Sequence, residues 1–171
     1  MQEQVFELTC VNHTRSDDNE QYGRRLCLRI EGIECKENET TEEVFRNVSK
    51  IIKDKNMEIP DSVVDRAHRI GPTYMKDGKR FKSIIVRFTT FRHRTIFYHK
   101  ARKLCTNFRT RLDLTKYRFN LLNSARSLVE SNEKVNFVYA DINCRLKVKP
   151  TEGSDLYFST EEELRNILKD L

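Results

Sequence analysis

The residues best able to do chemistry in this chain lie in one basic stretch, residues 79–118. This stretch contains 13 lysines and arginines and one acid, Asp113, so its formal charge is +12. The whole 171-residue chain carries +6, so the remaining residues sum to −6. A folded surface this basic repels itself unless a polyanion binds it, and nucleic acid is the commonest polyanion. The alternative is a solvated basic face without a ligand.

The sequence contains no arrangement of residues typical of an enzyme. It has no Ser/His/Asp or Cys/His pattern and no glycine-rich phosphate loop. His68, His93 and His99 each adjoin a cation, which suits phosphate contacts better than base catalysis. Cys10 and His13 could form half of a zinc site, but no second half follows. We therefore expect no catalytic residue, no metal and no cofactor.

The number of cysteines and the hydropathy pattern indicate in which cellular compartment the protein is expected. Five cysteines are present, which is an odd number, and none forms a CxxC pair. The N-terminal residues lack the apolar core of a signal peptide, so we interpret the cysteines as reduced thiols of an intracellular protein. No apolar run approaches the length of a membrane span, so we expect no membrane partner.

Apolar periodicity predicts a first unit over residues 24–114 with the order βαββαβ. Strands are expected at 26–31, 63–70, 83–89 and 109–114, and helices at 41–55 and 91–104. Thr40 and Thr90 are the expected N-caps, and Phe97, Ala101 and Leu104 the expected buried stripe of the second helix. Gly71-Pro72 is expected to end the second strand, with a polar loop after it. This order is typical of the ferredoxin-like fold, which includes the RNA-recognition motif.

Residues 115–171 are predicted to form a second, smaller αβββα unit, which makes the chain α+β. Asp113 or Thr115 could cap its first helix, and Ser159 with Glu162 forms the expected capping box of its last helix. Its strands are expected at 137–142, 146–149 and 156–158. Residues 1–23 are polar and are interpreted as a linker or the end of a coiled coil.

Strand alternation also predicts the chemistry of the sheet face. The outward positions of the first and third strands include Arg29 and Arg87 but no aromatic residue, and Phe88 is expected in the core. Tyr117 and Tyr139 could stack bases, although packing is the favoured interpretation for both. We therefore expect binding dominated by phosphate contacts and tolerant of sequence.

Five strings in the chain resemble, in order and spacing, the first-open-reading-frame protein of LINE-type non-LTR retrotransposons. The strings are RRLCLRIEGI (24–33), VDRAHRIG (64–71), IIVRFTTFRHRTIFYHKARKL (84–104), LDLTKYR (112–118) and FVYADINCRLKV (137–148). The resemblance covers residues 20–171. It implies an RNA-binding nucleic-acid chaperone that coats its transcript in cytoplasmic ribonucleoprotein particles, has access to the nucleus and acts in transposition.

The resemblance also bears on partners and assembly. It implies single-stranded RNA, and by extension single-stranded DNA, as the ligand, and a homotrimer held by a coiled coil in the full-length protein. Residues 1–23 lack sustained heptads, however, so we expect this chain to be a monomer. The alternative function is a ferredoxin-like protein–protein interaction module that binds no nucleic acid.

The candidate nucleic-acid-binding residues come from the charge pattern and from the resemblance. The family's contact residues match Arg87, Arg102, Arg69 and Arg80, with Arg118 the nearest candidate early in the C-terminal helix. Either Arg66 or Arg69 could instead pair with the acidic first helix, and cations at 102 and 103 also complement a helix dipole. A basic groove between the two units is expected to hold the strand. The full set is Arg29, Arg66, Arg69, Arg80, Arg87, Arg92, Arg94, Arg102, Lys103, Arg118, Arg145 and Lys147.

Overall fold

A computed structural model describes residues 14–171 of the chain. The described residues contain five helices and two antiparallel sheets, which confirms the α+β class. They divide into two compact units. One is Leu26–Asp113, and the other combines Leu114–Leu171 with the described part of the first 25 residues, in which 14–24 form helix α1. In the described part of the chain, no helix is long and apolar enough to cross a bilayer.

The unit Leu26–Asp113 is a four-stranded sheet with two helices on one face. Its strands are antiparallel and lie in the order β2-β3-β1-β4. Its elements, in chain order, are β1 (Cys27–Glu31), α2 (Thr41–Asp54), β2 (Val64–Lys76), β3 (Lys79–Phe88), α3 (Phe91–Leu104) and β4 (Arg109–Leu112). A short 3-10 helix, Asp61–Val63, leads into β2.

The inward face of this sheet is built by alternation. Leu28 lies opposite both Val86 and Leu112, so these side chains share the face that α2 and α3 cover. Phe88 is fully buried, as predicted, and its ring lies 5.2 Å from that of Phe97 on α3.

The stripe predicted for α3 is only partly correct. Phe97 and Ala101 are buried, but Leu104 is 41% exposed. The stripe continues to Cys105, four residues after Ala101, because a helix advances 3.6 residues per turn, and Leu104 falls beside it. At the other end the stripe starts at Arg94, which is fully buried.

Helices α2 and α3 begin at the predicted threonines. The Thr40 hydroxyl accepts a hydrogen bond from the Glu43 backbone N–H at 3.2 Å, and the Glu43 carboxylate accepts one from the Thr40 N–H at 2.7 Å. This reciprocal box satisfies two helix donors and lowers the pKa of Glu43, chiefly through the backbone N–H of Thr40. The Thr90 hydroxyl accepts from the His93 N–H in the same way.

The second strand runs further than the sequence predicted. Gly71, with φ +74°, lies in a register shift between Ile70 and Tyr74, after which β2 continues to Lys76. Asp77 and Gly78 both have positive φ and form a two-residue hairpin turn into β3, a conformation that Asp-Gly favours. The prediction of a loop here is therefore wrong, and residues 71–80 form an exposed two-stranded ribbon.

The other unit packs helices on one face of a three-stranded sheet. Its further elements are α4 (Lys116–Val129), β5 (Val135–Ala140), β6 (Leu146–Pro150), β7 (Leu156–Phe158) and α5 (Glu161–Asp170), with the sheet order β5-β6-β7. Of the two caps considered for α4, Thr115 is the N-cap. Helix α5 starts one residue later than expected, since the Thr160 hydroxyl accepts from the Glu163 N–H.

Candidate nucleic-acid interface

The face of the four-stranded sheet turned away from α2 and α3 gathers arginines from all four strands. Arg29 on β1 lies opposite Ile85 on β3 and opposite Arg111 on β4. Arg87 on β3 lies opposite Arg66 on β2. Directly opposed residues of an antiparallel pair share a face, so these side chains lie together. The five arginines of this outward face are Arg29, Arg66, Arg87, Arg109 and Arg111.

Three of these arginines are anchored by carboxylates. The Arg29 Nε donates to Asp113 at 2.7 Å; Asp113 is buried, while 36% of the Arg29 side chain is exposed. Arg111 pairs with Glu31 at 2.9 Å, and Arg87 lies 3.5 Å from Asp65. A guanidinium that is already held in place loses less conformational entropy when a ligand binds to it. These pairs therefore orient cations that solvent still reaches.

The outward face keeps an excess of positive charge. Its five arginines face three carboxylates, which leaves two charges unbalanced. Arg66 and Arg109 are exposed and form no ion pair within residues 14–171. Both opposed pairs, Arg29 with Arg111 and Arg66 with Arg87, place like charges across neighbouring strands, an arrangement that destabilises a sheet. Two phosphates bound here would relieve that repulsion.

Arg109 and Arg111 were not selected as candidates from the sequence. The alternation of residues along this strand could have identified them. Thr110 and Leu112 lie opposite inward residues of β1, so the two arginines that alternate with them face outward. A short terminal strand was expected at this place, but its face was not assigned.

Arg69 belongs to the opposite side of the sheet. It lies opposite the buried Ile84, and its side chain is only 8% exposed. Its Nε donates to Glu39 at 2.7 Å, and its terminal nitrogens donate to the carbonyl oxygens of Ile33, Glu34 and Lys82. The structure thus places the guanidinium of Arg69, a candidate for nucleic-acid binding, inside the fold with all of these partners and largely out of reach of solvent. Either Arg66 or Arg69 was expected to pair with the acidic helix predicted at 41–55; Arg69 pairs instead with Glu39, which lies just before that helix.

The candidates on α3 lie in the helix layer. Arg94 is fully buried, 5.2 Å from the centre of the Phe91 ring, so the structure places this candidate in the core rather than on a surface. Arg102 donates to the Tyr98 hydroxyl at 2.8 Å. Arg92 and Lys103 are exposed. Since α3 covers the inward face, none of these cations joins the outward face.

Arg80 lies on the ribbon, where it pairs loosely with Glu37 at 3.8 Å. The same ribbon corrects the expectation that no aromatic residue occupies an outward position of the third strand. Phe81 alternates in phase with Ile85 and Arg87, and its ring stacks on that of Tyr74 at 5.5 Å. The sequence prediction missed this pair because it placed residues 73–79 in a loop.

The remaining candidates lie in the other unit. Arg118 is 13% exposed: it donates to Asp17 at 2.7 Å, to Asp18, and to the Cys144 carbonyl oxygen at 2.9 Å. Two carboxylates neutralise its charge, so it holds α1 against α4 rather than offering a phosphate contact. Arg145 and Lys147 lie at 4.6 and 4.5 Å from the centre of the Tyr157 ring.

No group within residues 14–171 has the arrangement of a metal site, and no cluster of three or more His, Cys, Asp or Glu side chains forms there. Burial raises the pKa of the Cys105 thiol, which keeps it protonated and unreactive. Cys10 and His13, the half zinc site of the sequence, lie outside the described residues. The outward arginine face is thus the arrangement with the clearest chemical character in the described part of the chain: five cations, three of which have carboxylate partners.

Comparison with known proteins does not assign the chain to a family. No family model matches the chain, and no curated protein matches it.

Proposed function

We propose that this chain is a non-enzymatic protein that binds single-stranded nucleic acid, RNA in the first place, through the outward arginine face of Leu26–Asp113. The observation that carries the proposal is the strand register, which places Arg29 opposite Arg111 and Arg66 opposite Arg87 on one face. Like charges in direct opposition cost stability, and a bound polyanion returns that free energy.

The shape of the face favours a single strand over a duplex. Its arginines are presented by a sheet and reached by solvent, so bases or backbone can lie across them, as on other RNA-binding sheets. The middle of its two central strands offers the guanidinium groups of Arg29 and Arg87, and the outward aromatic pair of Phe81 and Tyr74 lies apart from them on the ribbon. Phosphate contacts of this kind position a strand without reading its sequence, so binding is sequence-tolerant.

We assign Leu26–Asp113 to the ferredoxin-like fold of the RNA-recognition-motif type. The support is the element order β1-α2-β2-β3-α3-β4 together with the sheet order β2-β3-β1-β4. Both are the arrangement of the split βαβ plan.

The resemblance to the first-open-reading-frame protein of LINE-type retrotransposons supplies a biological setting. In this setting the chain coats an RNA transcript. A protein that coats RNA and acts as a nucleic-acid chaperone must bind many different nucleotide sequences, which agrees with binding through phosphate contacts. Single-stranded DNA is a second ligand, because the phosphate contacts are shared. The trimer of the full-length protein is part of this proposal, and the 171-residue chain itself is proposed to be a monomer.

A salt titration of RNA affinity tests the proposal. We expect log affinity to fall linearly with log salt, and the Arg66→Ala/Arg87→Ala variant to flatten the slope by about 1.4, or about 0.7 for each single-strand phosphate that the variant no longer neutralises. The control is Arg92→Ala/Lys103→Ala, which removes the same charge from exposed positions on α3. It should leave the slope nearly unchanged.

Two results would contradict the proposal. Wild-type affinity that is independent of salt would exclude a phosphate interface and favour the protein-interaction module. An equal loss in both variants would show that only net charge matters and would remove the outward face as the site.

A further inference from the structure

A second surface with a different chemistry lies on the sheet β5-β6-β7. Its inward residues, among them Val138, Val148 and Phe158, pack in the core of their own unit. The side chains that alternate with them form an aromatic and cationic face, on which Phe137 and Tyr157 are exposed and the other three side chains are half-buried. That face, called the aromatic face below, consists of Phe137, Tyr139, Lys147, Lys149 and Tyr157.

The strand register arranges these side chains in rows. Tyr139 lies opposite Lys147, and Lys147 lies opposite Tyr157, so a lysine stands between two tyrosines across the three strands. In the neighbouring row Phe137 lies opposite Lys149. Phe137 is 53% exposed and Tyr157 is 48% exposed, although burial would be the favourable state for either ring.

Tyr157 holds two cations in place. The Lys147 Nζ lies 4.5 Å and the Arg145 Cζ 4.6 Å from the centre of its ring, both within the range of cation–π attraction. Lys149 lies 3.2 Å from Asp155, and Asp141 lies 3.3 Å from Arg145. Three cations against two carboxylates leave one positive charge, so the electrostatic attraction of this face for an anion is weak and its aromatic surface is the larger feature.

We propose that the aromatic face stacks unpaired bases of single-stranded nucleic acid, with Phe137 as the principal platform. The inference rests on the proposed function and adds to it a base contact on the other unit. The Phe137 and Tyr139 rings are 5.6 Å apart and tilted by 58°, so they do not stack on each other in parallel, and the exposed half of Phe137 is open to a base. Lys149, opposite Phe137, is placed to meet the adjoining phosphate.

The alternation of rings and cations favours nucleic acid over an apolar protein segment as the occupant. A base offers a flat π surface, and each sugar-phosphate link offers an anion, which together match a face of aromatic side chains interleaved with lysines. An apolar segment would remove water from the lysines and Arg145 and add no anion to them, and the two carboxylates beside them do not balance all three charges, which is unfavourable.

Base stacking can be separated from phosphate binding with two probes. Fluorescence anisotropy of the full chain would compare fluorescein-labelled oligothymidine of about 16 nucleotides with an abasic strand of equal length, a size within the range of one single-strand site. We expect Phe137→Leu to weaken oligothymidine binding about tenfold, or about 1.4 kcal/mol, with unchanged binding of the abasic strand. Phe137→Tyr, which keeps the ring, should bind like the wild type.

The matched control is Phe119→Leu, because Phe119 is a 48% exposed ring on α4 of the same unit. It should bind both probes like the wild type. Equal binding of oligothymidine by the two leucine variants would overturn the inference while leaving the proposed function intact. So would equal binding of the two probes by the wild type, or an equal loss of both in Phe137→Leu. If the wild type binds neither probe, the proposed function and this inference both fail.

Discussion

Substitution of Arg69 tests most directly whether an arginine of this sheet stabilises the fold or binds a ligand. We expect Arg69→Met to destabilise the unit Leu26–Asp113 strongly. The change would leave the Glu39 carboxylate, only 2% exposed, without its cation. It would also leave three backbone carbonyl oxygens without the donors that Arg69 supplies.

The magnitude follows from the burial of the pair. Breaking a buried ion pair by removing one partner costs about 3–5 kcal/mol, against a total domain stability of about 5–15 kcal/mol. With a urea dependence of about 2 kcal/mol per molar, a loss of about 4 kcal/mol shifts the unfolding midpoint by about 2 M. Adding Glu39→Gln should recover part of this loss, because the unpaired buried charge is then removed.

Urea unfolding followed by circular dichroism measures the shift, and Arg87→Met is the matched control. Arg87 pairs with Asp65 at 3.5 Å on the exposed face, and both side chains are more than one third exposed. We expect the stability of this variant to lie within about 0.5 kcal/mol of wild type. A normal midpoint for Arg69→Met together with abolished RNA binding would refute the reasoning and return Arg69 to the ligand set.

Three further predictions concern local contacts. Thr40→Ala should cost about 1 kcal/mol in urea unfolding at neutral pH, as removal of an N-cap does, and an unchanged midpoint would contradict it. Glu43→Gln should lower stability at neutral pH but not in acid, because the lowered pKa of Glu43 makes its contribution present above the ordinary value of 4.5 and lost as pH falls; a difference that stayed constant through acid would contradict this. Tyr139→Phe should lower stability most between about pH 4 and 10, because the hydrogen bond from Tyr139 lowers the pKa of Asp155 from 3.8 and raises the pKa of Tyr139 from 10.0. The contribution of this bond is lost as pH falls below 3.8 and Asp155 takes up a proton, and as pH rises above 10.0 and Tyr139 loses its proton. A difference in midpoint that is independent of pH would refute the prediction.

The helices were predictable because their signals are local. The threonine caps and the 3.6-residue spacing of α2 and α3 are visible within about 15 residues of sequence, and the structure confirms both starts. The ribbon was missed for the opposite reason. Gly71-Pro72 is typical of a strand end, and only pairing with β3 across a register shift shows that the strand continues. Asp77-Gly78 between two extended segments was the available signal.

The roles of individual arginines were less predictable, since a role depends on a partner far away in the chain. Arg118 is neutralised by Asp17, 101 residues before it. Arg69 is neutralised by Glu39, 30 residues before it. Neither spacing follows from any periodicity. By contrast, Arg29 and Arg87 were assigned correctly to the outward face, because alternation along a strand fixes the face of every residue once one core position is known.

The arginines of β2 and β3 therefore differ in their contribution to the stability of the unit Leu26–Asp113. Arg69, turned inward, stabilises the fold through a buried carboxylate and three carbonyl oxygens. Arg66 and Arg87, turned outward, lie directly opposite each other, and Asp65 balances only the charge of Arg87, so the pair does not stabilise the sheet that carries it. A sheet selected for stability alone would place opposite charges or β-branched residues at such a pair. Like charges kept on a solvent face, beside cations already oriented by buried acids such as Asp113, are what an anion-binding surface requires.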